Sequence, residues 1–241
     1  MKLLINTGGK GERLYPLTKN IPKPMVNVAG KPILHHLIDW AKTNLLNDIV
    51  LMNGHLADKV IDYFKDGKNL GVNITHSTEP YPLGSGGPIK YAKNFIDDRF
   101  VYISGDVFCA INFEKMLAFH EKNNADITVH VHKSSHPHDS DILQIDETGK
   151  VQKFISKHDD HTGAGELSNS GLCIMEPIIL GLMDKEVFTF ETYLYPKILE
   201  NGLGFFAYHT EEFIADIGTP ERLKRCEDFI ISHPEIFSSL S

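Results

Sequence analysis

The sequence predicts an α/β fold in which a mixed, mostly parallel sheet is sandwiched by helices. Short apolar runs suited to buried strands alternate with segments whose apolar residues recur at helical spacing, and turn residues separate them. This alternation is typical of parallel βαβ units, whose helices cover both faces of the sheet. The chain has 241 residues, 41% of them hydrophobic, which is enough to bury the core of one domain. We therefore expect a Rossmann-like single domain over residues 1–241.

The first half of the chain, residues 1–125, shows the alternation most clearly. Apolar runs predict strands at residues 2–6, 49–52, 72–76 and 100–104. Apolar residues at helical spacing predict helices at residues 32–43, 56–64, 88–95 and 111–123. Pro32 suits the first turn of the first of these helices, because the N–H that proline lacks has no intrahelical partner there.

The second half, residues 126–241, changes to strands joined by turns. Strands are predicted at residues 126–132, 168–175 and 204–209, and a hairpin over residues 142–156 turns at residues 147–149. Helices are predicted at residues 190–200 and 220–232. We expect this half to extend the same sheet and to form a lid over the carboxyl ends of the strands, where open α/β folds bind ligands.

The overall charge argues for a local binding site rather than a broad charged surface. A formal net charge of −8 disfavours electrostatic binding to nucleic acid or to an anionic membrane. The sequence shows no signal-peptide pattern and no apolar run of about 18 residues, so the cytoplasm is the expected compartment. Scattered cysteines without a CxxC pair are expected to be free thiols: Cys109, Cys173 and Cys226.

Four of the 13 histidines lie close together in the sequence, at positions His130, His132, His136 and His138. The first two would share one face of a strand. No third ligand stands beside them at a defined spacing, so exposed, solvated histidines are favoured over a zinc site.

A glycine-rich segment follows the first predicted strand, at the position where α/β folds cradle phosphates. It fits neither the dinucleotide pattern G-x-G-x-x-G nor the Walker pattern, and it has instead the form G-G-x-G-x-R at residues 8–13. Its glycines let backbone N–H groups approach phosphate oxygens: Gly8, Gly9 and Gly11. Arg13 can bind a phosphate through two N–H groups, and Lys23, between two prolines, adds a point charge. Taken alone, the segment would more often be a plain loop with solvated charges.

Together with four later segments, this one resembles the signature of the sugar-1-phosphate nucleotidylyltransferases, also called NDP-sugar pyrophosphorylases. The later segments, in the family's order, are EPYPLGSGGPIKYA at residues 79–92, YISGDVF at 102–108, SNSGLCIM at 168–175 and FIADIGTPERL at 213–223. The pattern is most similar to the mannose-1-phosphate and D-glycero-D-manno-heptose-1-phosphate guanylyltransferases. The resemblance spans nearly the whole chain. It implies the nucleotide-diphospho-sugar transferase fold and a reaction that joins a nucleoside triphosphate to a sugar 1-phosphate, releasing pyrophosphate.

The resemblance also implies which residues form the nucleotide site. Asp106 and Asp216 are expected to bind Mg²⁺, which suits two carboxylates completed by phosphate oxygens and waters. Arg13 and Lys23 are expected to neutralise the phosphates and, with Asp106, to form the catalytic set. The other residues expected to bind the nucleotide are Gly8, Gly9, Gly11, Glu79, Gly84 and Ser85. From the residues alone, Asp106 could instead form a turn, and Asp216 could cap the following helix.

For the sugar phosphate, the resemblance implies Lys157, Asn169, Gly171 and Glu191. Lys157 corresponds to the lysine of the family's E-K-P motif, but Ser156 stands in place of its glutamate and His158 in place of its proline. The family's glutamate contacts sugar hydroxyls, so this departure leaves the identity of the sugar open. For Glu191, a solvated helix face is an open alternative.

Glu79 bears on the nucleotide base. It lies five residues before Gly84, where thymidylyltransferase relatives have a base-reading glutamine. A carboxylate only accepts hydrogen bonds, and guanine presents N1–H and an amino group side by side, so GTP is the favoured nucleotide. A solvated loop acid is the alternative.

Other functions stay open at this point. One is uridylyl, cytidylyl or thymidylyl transfer to another hexose 1-phosphate. A second is a catalytically weak regulatory protein that binds nucleotide sugars, which the missing E-K-P glutamate motivates. A glycosyltransferase is disfavoured, because residues 104–108 lack a D-x-D metal motif. No hexapeptide repeats follow the last predicted helix, so a form without the family's C-terminal β-helix domain is expected, and a homodimer is left open.

Overall fold

The computed structural model of the protein describes residues 1–134, 140–156, 160, 162 and 165–233. The chain divides into two compact units, each built from separate segments. Unit 1 comprises Met1–Pro82, Ile103–Asn112 and Glu212–Ser241, and unit 2 comprises Leu83–Tyr102 and Phe113–Glu211. The resemblance described above implies that residues 1–125 bind the nucleotide and residues 126–241 the sugar phosphate, and this assignment stays a prediction.

The secondary structure alternates strands and helices, with additional short helical turns. The strands are β1 (Lys2–Asn6), β2 (Asn27–Val28), β3 (Lys31–Pro32), β4 (Asp48–Asn53), β5 (Asn73–Thr78), β6 (Phe100–Ser104), β7 (Val107–Cys109), β8 (Ile127–Lys133), β9 (Ile142–Ile145), β10 (Val151–Ile155), β11 (Leu167–Met175), β12 (Phe205–His209) and β13 (Ile214–Asp216). The α-helices are α1 (Ile33–Thr43), α2 (Ala57–Phe64), α3 (Gly87–Ala92), α4 (Phe113–Lys122), α5 (Tyr195–Glu200) and α6 (Pro220–Ser232). Single turns of 3₁₀ or π helix lie at Glu12–Leu14, Lys23–Met25, Lys68–Leu70, Lys93–Phe95, Pro177–Leu182 and Phe190–Leu194.

Every predicted strand and helix is present, with ends that differ by a few residues at most. The prediction for Pro32 is wrong in detail: this residue is extended, with φ −53° and ψ 143°, and α1 begins one residue later. The reason is the β2–β3 hairpin, in which Pro32 pairs with Asn27. This hairpin and the three-residue strands β7 and β13 were not predicted.

Unit 1 is organised around parallel strands, because β4 pairs in parallel with both β1 and β5. The centre of β1 is fully buried, as is typical of a parallel strand covered on both faces. Helix α1 buries its apolar face, and Trp40 Nε1 on that face donates to the carbonyl of Ile111 at 2.8 Å. The carboxyl ends of the parallel strands meet at one edge, where Gly105, just after β6, donates its N–H to Asn6 O at 2.8 Å.

A second feature of unit 1 is the antiparallel ladder of β7 and β13, which pairs Val107 with Asp216. Ile217, the next residue, donates its N–H to Asp106 O at 2.9 Å. Residues far apart in the chain thus become neighbours, and the aspartates predicted to bind a metal lie on adjacent strand ends.

Unit 2 is mainly antiparallel. Strand β11 pairs antiparallel with β8 and β9, β9 pairs antiparallel with β10 in the predicted hairpin, and β12 pairs in parallel with β8. The register of β11 shifts between Asn169 and Cys173, where Gly171 has a φ of 82°. Such a bulge redirects side chains locally.

The three cysteines are free thiols, as predicted, and all are buried: Cys109, Cys173 and Cys226. Burial raises the pKa of Cys109 and of Cys226 to about 12, so neither thiol ionises readily near neutral pH. Within the part of the chain that the structure describes, no helix is both long and apolar enough to span a membrane.

The expectation of exposed, solvated histidines is wrong for His130, which is 0% exposed. Its Nδ1 lies 2.8 Å from Ser170 Oγ, and its Nε2 is buried without a hydrogen-bond partner. Every residue of β8 from Ile127 to Val131 is buried, so both faces of the strand are covered, and this explains the burial of His130. Among the described residues, no group of three or more His, Cys, Asp or Glu side chains could bind a metal ion. His136 and His138 lie outside the described residues.

Because His130 is buried, we predict that the protein becomes less stable in acid. Burial lowers the pKa of His130 from 6.5 to about 3, so the unfolded chain binds more protons than the folded protein between these values. The stability that depends on neutral His130 is therefore fully present above the pKa of this histidine in the unfolded chain, and it decreases as the pH falls below that value. Between about pH 7 and about pH 5, the wild-type protein should lose about 2 kcal/mol more unfolding free energy than His130→Gln, measured by urea denaturation. Parallel losses in the two proteins would contradict the assignment, and His55→Gln, at an exposed histidine, should behave like wild type.

Candidate active site

The glycine-rich loop of unit 1 packs closely against the segment that carries Lys23. Gly11 has a φ of 66°, and its carbonyl accepts hydrogen bonds from Leu14 N at 2.9 Å and Thr18 Oγ1 at 2.8 Å. A Cβ on Gly11 would lie 3.0 Å from Lys23 Cβ and 3.0 Å from Thr18 Cγ2. Glycine is thus required there both for its left-handed backbone and for close packing.

A cavity of about 370 Å³ opens in front of this loop. It is lined by Gly9, Lys10, Gly11, Glu12, Arg13, Lys23, Asp106 and Gly218. A smaller cavity of about 100 Å³ is lined by Asn6, Gly9, Lys23, Pro24, Ser104 and Asp106. Three cationic side chains line the larger cavity, so it is suited to a polyanion. The predicted Arg13, Lys23 and Asp106 meet here.

Lys23 and Asp106, which both line the cavity, form an ion pair. Lys23 is only 8% exposed, in a 3₁₀ turn that the two flanking prolines stiffen. Asp106 follows β6 through Gly105, where a Cβ would lie 2.8 Å from the carbonyl oxygen of Asn6. The close approach of two strand ends therefore fixes the position of the carboxylate.

Asp216 forms a second ion pair, with Arg222 in the first turn of α6. Arg222 Nη1 donates to Asp216 Oδ2 at 2.6 Å, and Gly218 N donates to Asp216 Oδ1 at 2.6 Å. Asp216 is not the helix cap, because Thr219 Oγ1 accepts the hydrogen bond from Arg222 N. Both members of the ion pair are partly exposed, so it contributes only about 0–1 kcal/mol to stability.

Glu79 lies against the glycine loop rather than in open solvent. A Cβ on Gly8 would lie 2.8 Å from Glu79 Oε1, and a Cβ on Gly54 would collide with the same oxygen. The N–H of Glu79 donates to Asn53 O at 2.9 Å, which extends β5 to the edge where the loop begins. The carboxylate is therefore half-buried beside Gly8, and its predicted contact with the base stays a prediction.

The two aspartates predicted to bind a metal, both in unit 1, have side-chain oxygens of the kind that magnesium prefers. Asp106 and Asp216 offer carboxylate oxygens from adjacent strand ends, and oxygen is the ligand that Mg²⁺ prefers. Mg²⁺ commonly uses one or two carboxylates together with substrate phosphates, so two carboxylates are enough for such a site. Both carboxylates are paired with cationic side chains in this structure.

Unit 2 contains a separate cluster of predicted residues around Tyr195. Asn169 Nδ2 donates to Tyr195 Oη at 2.9 Å, and Asn169 Oδ1 accepts from Gly171 N at 3.0 Å. Ser85 Oγ lies 3.5 Å from Glu191 Oε2 and accepts the N–H of Phe190 at 3.0 Å. The assignment of Ser85 to the nucleotide site stays a prediction.

Glu191 does not lie on a solvated helix face. It belongs to the single turn of π helix and is half-buried. Burial raises the pKa of its carboxyl group, and the charge of Asp141 acts in the same direction. A partly desolvated carboxylate of this kind suits hydrogen bonds from hydroxyl groups. Lys157, the other predicted sugar-phosphate residue, lies outside the described residues.

The glycine motif near residue 84 has a packing role. Gly84 has a φ of 83°, and a Cβ there would collide with the carbonyl oxygen of Phe188. Gly86 N donates to Phe188 O at 3.1 Å, and Phe188 N donates to Leu83 O at 3.1 Å. The two backbone segments are thus in direct contact, and this contact brings Ser85 next to Glu191.

Gly84→Ala should therefore lower the unfolding free energy by about 3 kcal/mol, because it combines a strained left-handed backbone with a collision against main chain. Urea denaturation measures the effect. Gly181→Ala is the matched control in the same unit, since a Cβ there meets nothing within 4 Å. Equal stability of the two variants would show that the contact between the two backbone segments relaxes at little cost.

Two residues of these clusters were missed by sequence reasoning. The sequence places Tyr195 only within a predicted helix, because its central position in this cluster depends on tertiary packing. Arg222 carried a usable signal, because the D-x-G-T-P sequence predicts a turn and a capped helix whose first turn faces back toward Asp216.

The fold and the cavity together define an α/β protein with a glycine-rich loop at the cavity and two aspartates at adjacent strand ends, whose carboxylates are of the kind that suits a divalent cation. The chain belongs to the Nucleotidyl transferase family, whose model matches residues 2–232. The predicted resemblance to sugar-1-phosphate nucleotidylyltransferases is thereby confirmed.

Curated relatives resemble the chain over most of its length. The mannose-1-phosphate guanylyltransferase catalytic subunit beta of Xenopus tropicalis is 32% identical over 226 residues, which cover 92% of this chain and 62% of the relative. The mannose-1-phosphate guanyltransferase of Yarrowia lipolytica is 31% identical over 246 residues, which cover 100% of this chain and 65% of the relative. The chain thus spans less than two thirds of the length of either relative.

Solved structures confirm the α/β fold class. HddC from Yersinia pseudotuberculosis has a TM-score of 0.81 and 29% identity, with 95% of this chain and 99% of that chain covered. HddC has also been solved in complex with GMP-PN, and that structure has a TM-score of 0.80. A proposed glucose-1-phosphate thymidylyltransferase from Bacillus anthracis has a TM-score of 0.85 at 19% identity, with 95% of this chain and 94% of that chain covered; this likeness concerns the fold alone.

Proposed function

We propose that the protein is an Mg²⁺-dependent guanylyltransferase that acts on mannose 1-phosphate or a manno-heptose 1-phosphate. An oxygen of the sugar phosphate attacks the α-phosphorus of GTP, the bond from that phosphorus to the bridging oxygen breaks, and pyrophosphate leaves with this oxygen. The products are the GDP-sugar and pyrophosphate. Membership of the family and the mannose-1-phosphate guanylyltransferases among the curated relatives support this reaction.

The observation that carries the proposal is the cavity of unit 1. A glycine loop, two predicted catalytic cations and a strand-end carboxylate surround one space of about 370 Å³. Two polyanionic reactants repel each other, so a site for this reaction must neutralise and orient phosphates. The arrangement of Arg13, Lys23 and Asp106 meets that requirement.

The reaction needs no general base. The second pKa of a phosphate monoester is about 6, so the attacking phosphate is already largely ionised near neutral pH. Catalysis therefore depends on positioning and on stabilising charge that shifts toward the leaving pyrophosphate. Lys23 is proposed to neutralise the α-phosphate, and Arg13 the phosphates that leave. Asp106 and Asp216 would bind Mg²⁺, which supplies positive charge to the phosphate oxygens when bound.

In unit 2, Asn169, Gly171 and Glu191 are proposed to bind the sugar phosphate. The partly buried carboxylate of Glu191 supports a role as acceptor for sugar hydroxyls. Lys157 is proposed to bind the phosphate group of the sugar.

Guanine is the proposed base because Glu79 presents a carboxylate beside the glycine loop. Glu79→Gln should weaken GTP binding about 10- to 100-fold, since hydrogen bonds to a charged group contribute about 1.5–3 kcal/mol. Equilibrium binding of a GTP analogue measures this effect. Glu147→Gln, at an exposed turn residue of the β9–β10 hairpin, is the matched control and should bind like wild type. An unchanged dissociation constant for Glu79→Gln would remove Glu79 from the base site.

The deciding experiment is a crossed assay of pyrophosphate release, with GTP, UTP, dTTP, CTP and ATP each tested against a panel of sugar 1-phosphates. We expect the highest kcat/KM for GTP with mannose 1-phosphate or a manno-heptose 1-phosphate. A clear preference for a pyrimidine nucleotide would replace the guanylyl assignment by another nucleotidylyltransferase. Tight binding of nucleotide sugar without turnover would favour the regulatory protein.

A further inference from the structure

The carboxylate of Asp216 has protein partners on both of its oxygens. Arg222 occupies Oδ2 and the backbone N–H of Gly218 occupies Oδ1, each at 2.6 Å. The guanidinium group of arginine stays protonated throughout the pH range of protein function. A cation that approaches Asp216 therefore meets a carboxylate whose charge is already neutralised.

A second guanidinium group lies close to the same carboxylate. The position that a Cβ on Gly218 would occupy is 3.1 Å from Arg13 Nη2, and it also contacts Asp216 Oδ1. Arg13 and Gly218 both line the cavity in front of the glycine loop. Guanidinium groups bind phosphate through paired hydrogen bonds, so phosphates in this cavity would offer Arg222 a new partner close by.

We propose that Arg222 is a positioning residue that occupies Asp216 in the ligand-free protein and transfers to a phosphate when the divalent cation and the nucleotide bind together. The inference rests on the proposed function, because it requires Asp216 to be a metal ligand. Its consequence is a coupling: the cation binds weakly alone, and cation and nucleotide each raise the affinity of the protein for the other.

The test measures binding of Mn²⁺ to the nucleotide-free protein, using the electron paramagnetic resonance signal of the free ion. Arg222→Gln should lower the Mn²⁺ dissociation constant about fivefold or more, a coupling within the usual range for interacting sites. Arg222→Lys, which keeps the charge, should lie between wild type and Arg222→Gln. Lys224→Gln is the matched control: it removes the same charge two residues further along α6, from a side chain that pairs with Asp228 at 2.5 Å, and it should bind Mn²⁺ like wild type.

A second measurement adds a GTP analogue with a methylene bridge between the α- and β-phosphorus atoms, which prevents turnover. The factor by which this analogue tightens Mn²⁺ binding should be about fivefold smaller in Arg222→Gln than in wild type. The double variant Asp216→Asn/Arg222→Gln should lose the tighter binding of the single variant. Thermal unfolding of each variant verifies that it is folded.

The outcomes separate this inference from the proposed function. Equal Mn²⁺ dissociation constants for wild type and Arg222→Gln overturn the role of Arg222, as does tighter binding that persists in the double variant. If Asp216→Asn leaves Mn²⁺ binding of the analogue-bound protein unchanged, Asp216 is not a metal ligand, and the metal site of the proposed function fails as well.

Discussion

Substitution of Asp106 by asparagine is expected to lower kcat/KM for GTP by a factor of about 10³ or more. The side chain keeps its shape but loses its negative charge, and with it both the ion pair to Lys23 and the proposed bond to Mg²⁺. The Mg²⁺ concentration that gives half-maximal rate should rise in parallel. Pyrophosphate release, measured over a range of GTP and Mg²⁺ concentrations, reports both quantities.

The control for this effect is Asp62→Asn, which removes the same charge from an exposed position of α2 in the same unit. It should retain wild-type kcat/KM, so a general change in net charge cannot explain the loss. A kcat/KM for Asp106→Asn within about threefold of wild type would remove Asp106 from the catalytic set and leave its ion pair a structural contact.

Substitution of Lys23 by methionine is expected to lower kcat by a factor of about 10²–10³, because the cation that stabilises charge on the α-phosphate is lost. The binding of Mn²⁺ to the nucleotide-free protein should change in the opposite direction and become tighter, since the competing ammonium group no longer pairs with Asp106. Only a residue that both serves catalysis and competes with the cation gives this combination. Steady-state kinetics and Mn²⁺ titration measure the two effects separately.

The fold of Lys23→Met should persist, because the side chain is only 9% exposed and methionine has a similar length and an apolar body. Lys19→Met is the matched control, at an exposed lysine of the same loop, and should change neither kcat nor Mn²⁺ affinity. Loss of kcat together with weaker Mn²⁺ binding would point instead to a collapsed site.

The sequence was sufficient to predict the strands and helices whose apolar residues are locally patterned. Strands β1 and β6 and helix α6 have the predicted bounds. Strands β7 and β13 were missed because each has three residues and forms only by pairing with the other. His130 was predicted to be solvated because no third metal ligand stands beside it in the sequence, whereas β8 is buried on both faces from Ile127 to Val131.

The sequence predicts which residues form the candidate site, but it does not predict which of the charged side chains pair with each other. The glycines, Arg13, Lys23 and Asp106 follow from motif and resemblance, and they meet around one cavity. That Asp106 pairs with Lys23, and Asp216 with Arg222, depends on tertiary distances that a sequence does not contain. For the same reason, the contact between Gly84 and Phe188 was not foreseen.

The ladder between β7 and β13 also determines when a growing chain can acquire the complete site. The glycine loop, Lys23 and Asp106 emerge from the ribosome early, whereas β13 and Arg222 follow only after the whole of unit 2 has been synthesised. Until then, a nascent chain has Asp106 but not Asp216, and it lacks the partner strand for residues 107–109. Domains generally fold as units during synthesis, so we expect nucleotide to bind a stalled chain only after residues 212–232 have left the exit tunnel.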